Sequence, residues 1–151
     1  MSWVFRFVLP AGWSARLSGG WGLLVGARSE GSTEVEWHRN APGEARPQGF
    51  RFVREVGRGN RDYESLSVDP LDLPHAWSRI DIVAVLSRRD VFALIPGAVA
   101  DVLEDSAMTL SIDLADDYER EYGVCLARLA RRGVRWELRL DGTGLQETRS
   151  A

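Results

Sequence analysis

Asn60, Asp62 and Glu64 stand at alternate positions in the glycine-opened stretch Gly57–Ser65, GRGNRDYES. Oxygen side chains spaced in this way ahead of a strand can converge on a hard cation such as calcium. Arg61 and Tyr63 fill the intervening positions, and Arg61 brings positive charge to where such a cation would sit. Calcium takes about 6–8 oxygen ligands, so two carboxylates and one amide form a lean shell of weak affinity. The competing reading is that Asp62 and Glu64 cap the turn or pair with nearby arginines, an ordinary fate for two acids in a charged loop.

Other chemistry-bearing residues are sparse. His38 and His75 are the only histidines, and neither has a Ser, Cys or Asp neighbour in a catalytic setting. His75 follows Leu-Pro in a turn and is expected at the surface, and His38 packs beside Trp37. Cys125 is the single cysteine, so no internal disulfide forms, and its apolar surroundings point to an inert buried thiol. Asp113, Asp116, Asp117, Glu119 and Glu121 make an acidic run that either holds a second weak cation or caps a short helical turn. Arg128, Arg131, Arg132, Arg135 and Arg139 cluster near a terminal hairpin, as the wet face of a strand or as a site for phosphate or an acidic partner. No nucleophile elbow, dinucleotide loop or metalloprotease motif is present. Enzyme activity is therefore not expected.

All 19 basic residues are arginine, which excludes Schiff-base chemistry and a phosphate-loop lysine. A net charge of −3 gives no reason to expect nucleic-acid binding. No apolar run approaches the roughly 20 residues of a membrane span. The start around Trp3–Leu9 lacks the features of a secretory leader, so a cytoplasmic protein is expected. At 151 residues one domain suffices, large enough for a core without disulfide or structural metal.

Period-two alternation marks the elements that would position these residues. Trp3, Phe5 and Phe7 alternate with Val4, Arg6 and Val8. Phe50, Phe52 and Arg54 oppose Arg51, Val53 and Glu55. Trp136, Leu138 and Leu140 oppose Arg135, Glu137 and Arg139. Ile80–Leu86 is almost wholly apolar and predicts a central strand covered on both faces. Pro42–Pro47 reads as an exposed loop, and Arg132–Gly133 as a hairpin turn. Gly97–Asp105 and Glu121–Arg132 each fit a helix or a strand. Of six tryptophans, Trp13 and Trp77 lie next to turns and are the expected exposed anchors. A two-sheet sandwich fits these patterns, with residues 1–142 as the domain and 143–151 as a disordered tail.

Three segments together resemble the TerD family of tellurium-resistance and stress proteins. In EYGVCLARLARRGVRWEL, Glu121, Leu129, Arg131, Arg132, Gly133 and Trp136 match the family's C-terminal block. Gly57–Val85 resembles its acidic loop followed by a Val-Asp-Leu strand, Leu-Pro and an apolar strand. Arg16–Asn40 is a weaker match ending in EVEWHRN. The resemblance implies an all-β, two-sheet sandwich of TerD type with at most one or two short helices. It reads Glu121–Arg132 as strand and suggests a cytoplasmic bacterial protein with a calcium-binding ancestry.

It also implies that an Asp-Leu-Asp stretch, which supplies part of the family's calcium shell, falls on Arg16–Leu17–Ser18, where both carboxylates are missing. Asn60, Asp62 and Glu64 fall on oxygen-bearing family positions, with Arg61 in place of a Gly and Tyr63 in place of an Asp. The metal candidates are thus Asn60, Asp62 and Glu64, with no cofactor expected beyond weakly held calcium. Arg16 and Arg61 are the candidates to neutralise Asp62 and Glu64 internally. The expected function is a stress-response, tellurium-resistance-associated binding or scaffolding protein with calcium binding weak or lost. Its expected partners are other proteins of that system. The alternatives are a calcium-responsive sensor keeping Asn60, Asp62 and Glu64, and a small hydrolase or ligand-binding sandwich with a histidine beside a carboxylate in a deep pocket.

Overall fold

The computed structural model describes residues 2–41, 48–87 and 89–146. The Pro42–Pro47 connection and the chain beyond 146 lie outside them. In order, the elements are β1 (Trp3–Pro10), α1 (Trp13–Arg16), β2 (Trp21–Ser29), β3 (Glu36–Arg39), β4 (Phe50–Arg58) and β5 (Arg61–Val68). They continue with β6 (Trp77–Leu86), β7 (Val99–Glu104), β8 (Ala107–Asp113), α2 (Leu114–Asp117), β9 (Glu121–Arg132), β10 (Arg135–Leu140) and β11 (Gly144–Gln146). Both α-helices are four residues long. Single 3-10 turns at Pro70–Asp72 and Phe92–Leu94 complete the set. No helix among the described residues is long and apolar enough to cross a membrane.

The strands form two antiparallel sheets. One runs β4-β5-β1-β7-β8; the other runs β10-β9-β6-β2-β3, with β11 added to β9. Side chains of alternate residues fill the space between them, as period-two patterning requires. Trp3, Phe5 and Phe7 of β1 meet Ile80, Ile82 and Ala84 of β6 and Leu126 and Leu129 of β9, all buried. Phe7 sets its edge against Trp21 at 5.5 Å and 88°. On β6 the inner face is buried from Ile80 to Leu86, and Val83 on the outer face is buried too. Asp81 and Val85 beside it are only half-covered, so the strand is central in its sheet but not sealed on both sides.

Gly97–Asp105 and Glu121–Arg132, each open to two readings, resolve as strands β7 and β9. Pairing with β1 and β6 outweighs the helical spacing of Val99, Val102 and Leu103. The β9–β10 hairpin turns at Gly133–Val134, with Gly133 at φ 66°. One expectation about the tryptophans is corrected. Trp77 is only 6% exposed, packed against Phe50 and His38, because β6 begins at Trp77 itself. The exposed indole is Trp37, at 56%.

Within the expected tail 143–151, Gly144–Gln146 pair with β9, and 147–151 lie outside the described residues. Its polar residues build a connection. The Asp141 carboxylate accepts bonds from the Gly142 and Thr143 amides, both at 2.7 Å. The Tyr118 hydroxyl donates to Gly142 O at 2.7 Å, and the Cys125 amide to Thr143 O at 2.9 Å.

Candidate functional site

Asp62 and Glu64 lie two residues apart on β5, and both side chains enter the sandwich, with exposures of 0% and 1%. Buried carboxylates need hydrogen-bond partners. For Asp62 these are backbone amides: Ser14 N–H donates to Oδ2 at 3.0 Å and Gly57 N–H to Oδ1 at 2.7 Å. Ser14 belongs to α1, whose last residue, Arg16, begins the stretch Arg16–Leu17–Ser18 on which the resemblance places the missing acids. The turn just before that stretch presents a donor to Asp62. The Ser14 hydroxyl in turn accepts from Trp21 Nε1 at 2.9 Å.

Glu64 is held from the other sheet. The Leu23 amide donates to Oε2 at 2.6 Å, and Asn40 Nδ2 to Oε1 at 3.3 Å. Gly22 leaves the room this approach needs, since a Cβ there would lie 2.6 Å from Glu64 Oε2. Burial pushes the Glu64 carboxyl up from its usual range. The Leu23 amide, Arg54 and Asn40 pull the other way without cancelling the shift.

The arginine at this site is Arg54, not Arg16 or Arg61. Arg54 on β4 is registered directly against Glu64 on β5, and its guanidinium lies 3.7 Å from Oε1. It donates to Trp21 O at 3.1 Å and more loosely to Gly19 O at 3.4 Å, and sits 4.2 Å over the Trp21 ring. Arg16 instead stacks on Trp13 at 4.8 Å, and Arg61 is exposed. The signal for Arg54 was in the sequence: it shares the inward parity of Phe50 and Phe52.

Asn60 is exposed at the tip of the β4–β5 hairpin. Gly59 and Asn60 have φ of 61° and 64°, the paired positive values of a type I′ turn. The Asn60 carbonyl accepts the Ala11 amide at 3.2 Å. Asn60 thus has a backbone role here, while Asp62 and Glu64 are the buried pair. Among the described residues no three His, Cys, Asp or Glu side chains gather as a metal-holding group. The carboxylate oxygens already accept N–H donors, and a guanidinium sits beside Glu64. This donor set fits calcium poorly.

A cleft of about 360 Å³ opens above Glu64, lined among others by Trp21, Arg39, Asn40, Arg54 and Ser87. His38 is not in its lining; Nε2 of that residue lies 3.4 Å from Glu36 on the same strand. His75 is exposed, and its carbonyl accepts from Arg131 at 2.7 Å. Cys125 is buried, which raises its thiol pKa to about 11. Asp113 accepts the Asp116 amide at 3.2 Å and so caps α2. That part of the acidic run does turn-capping work.

No protein-family model matches the chain, and no curated protein does. Solved structures do match in fold. One is a homologue of telluride resistance protein (TerD) from Streptomyces coelicolor A3(2), with TM-score 0.70 and 13% identity, covering 97% of this chain and 92% of that one. Another is the protein of unknown function SAV2460, with TM-score 0.69, 13% identity and the same coverages. From end to end of the two sheets, this chain has the TerD-like fold.

Proposed function

We propose that this protein is a non-catalytic TerD-like module of bacterial stress physiology. In this reading it works in the cytoplasm as a binding or scaffolding partner within a tellurium-resistance-associated system, and calcium binding is weak or lost. The observation that carries the reading is the oxygen shell around Arg54. Its guanidinium has Glu64 Oε1 at 3.7 Å, Trp21 O at 3.1 Å and Gly19 O at 3.4 Å. One carboxylate and two carbonyls are the kind of ligands a hard cation takes. A side chain of the protein fills the role of that cation, so the fold does not depend on an ion.

The test is thermal unfolding in millimolar calcium and in chelator. A ligand at 100-fold its Kd adds about 2.7 kcal/mol, and a chain of this size gains about 2–4 °C per kcal/mol. The expected shift is under about 1 °C, far below the several degrees of a working site. A rise of that larger size would overturn the reading in favour of a calcium-responsive sensor using Asp62 and Glu64. Arg54→Ala should itself gain a calcium-dependent rise, because it opens the shell. If it stays indifferent to calcium, Arg54 is not a cation surrogate.

A further inference from the structure

We infer that the outer face of the β6–β9–β10 sheet carries a binding site for a multivalent oxyanion of the phosphate type, centred on Ala130. The cross-strand registers set Arg28, Arg79, Ala130 and Glu137 in one row over β2, β6, β9 and β10. The neighbouring row holds Gly26, Asp81, Arg128 and Arg139, and Arg132 pairs with Arg135 at the hairpin end. Ile80, Leu129 and Trp136 occupy the opposite parity and are buried, so these arginines stand on the solvent side. A groove of about 290 Å³ runs through them, lined by Arg79, Arg128, Ala130, Arg132, Glu137 and Arg139. Ala130 gives the groove its depth, as a methyl group among long side chains.

Charge selects the ligand. Arg79 lies 3.6 Å from Asp81, Arg128 2.9 Å from Asp141, and Arg132 3.4 Å from Glu137. Arg28, Arg135 and Arg139 have no acid within ion-pair distance among the described residues. Counting Arg28 and Arg135, which flank the groove without lining it, the face carries three more arginines than the acids paired with them, on a chain whose net charge is −3. A wet face balanced by its own acids would not be segregated in this way.

The existing pairs are also incomplete. Arg128 Nε, Arg28 Nε and Asp81 Oδ1 are all buried without an aligned hydrogen-bond partner among the described residues, so charge rather than aligned bonds holds the pairs together. A single carboxylate would answer one charge of the excess, whereas a di- or trivalent phosphate answers most of it. The guanidinium fork is shaped for phosphate oxygens. Strands β6 and β10 flank β9 about 10 Å apart. That is close enough for Arg79 and Arg139 to meet on one phosphate group or to bracket a short chain of them.

Inorganic phosphate, pyrophosphate and tripolyphosphate are the probes, titrated calorimetrically at constant ionic strength. The expected result is saturable binding that weakens at least about tenfold, the loss of one charge-assisted contact, in two separate variants. One is Ala130→Glu, which sets a carboxylate in the groove floor. The other is Arg79→Gln with Arg139→Gln, which leaves the Arg128–Asp141 pair in place. Both should melt near the parent temperature in the absence of anion, and the double variant suffices if Ala130→Glu does not fold. Equal affinity for the three probes marks a single-phosphate site, and affinity climbing with length marks a chain-binding groove. No binding by any probe at about 10 mM, or undiminished affinity in the folded variants, overturns the site.

Discussion

Arg54→Ala separates an ion-pair role from a packing role at the buried carboxylates. The side chain is 26% exposed and that of Glu64 only 2%, so Glu64 would be left charged in a poorly hydrated place. Removing one member of a fully buried pair costs about 3–5 kcal/mol. Here Glu64 keeps the Leu23 and Asn40 bonds, and Arg54 is partly hydrated at 3.7 Å, so the lower part of that range is the ceiling. Stacking on Trp21 at 4.2 Å adds about 0.5–1 kcal/mol. A loss of about 2–3 kcal/mol at neutral pH follows, or roughly 5–10 °C in melting temperature.

The pH dependence gives the sharper readout. The folded-state pKa of Glu64 lies above its ordinary value of 4.5, so the folded chain holds a proton that the unfolded chain has released. Stability from this group is greatest below 4.5 and is lost as pH rises through the folded value. Arg54 is among the groups that hold this shift down. Its removal should widen the window and make the defect grow from acid to neutral pH. Urea denaturation of parent and variant at several pH values measures this. A difference that stays constant across the range would refute the electrostatic reasoning and leave only packing.

Asp62→Ala strips the acceptor from two amides, Ser14 and Gly57, and should lower stability by about 3 kcal/mol in urea unfolding; a loss under about 0.5 kcal/mol would mean water replaces the carboxylate. Tyr118→Phe removes the bond to Gly142 O and should cost about 1 kcal/mol, with faster amide exchange confined to 142–146. Cys125, with its pKa raised to about 11, should resist alkylation at pH 8 in the native state and react once the chain unfolds. Native-state labelling at the rate of a free thiol would contradict its burial.

The two-sheet architecture was legible because residues such as Phe5, Phe52 and Trp136 keep strict two-residue parity with their strands. The same parity marked Arg54 as inward-facing. Its partnership with Glu64 was not legible, because it depends on the β4–β5 register, which shifts between Glu55 and Arg58. A displaced register moves every cross-strand neighbour. Alternation in the loop grouped Asn60 with Asp62 and Glu64, but a two-residue turn needing positive φ claimed Asn60 for the backbone. Trp77 misled because nearness to Pro74 in sequence says little about packing: its ring is covered by Phe50 and His38 from β4 and β3. Polarity hid β11, which pairs with β9 after a connection fixed by the bonds of Asp141 and Tyr118 to Gly142 and Thr143.

The place of β1 in its sheet has a consequence for how the chain comes together. Trp3–Pro10 is flanked by β5 on one side and β7 on the other, with Trp3 opposite both Val68 and Glu104. One edge of this strand is paired only by residues some 60 positions further along the chain, and the other only by residues about 100 positions further. Such distant pairings make for slow folding. Until β7 emerges from the ribosome, Trp3, Phe5 and Phe7 form an apolar ribbon with an open edge, the kind of segment that recruits chaperones or sticks to its copies.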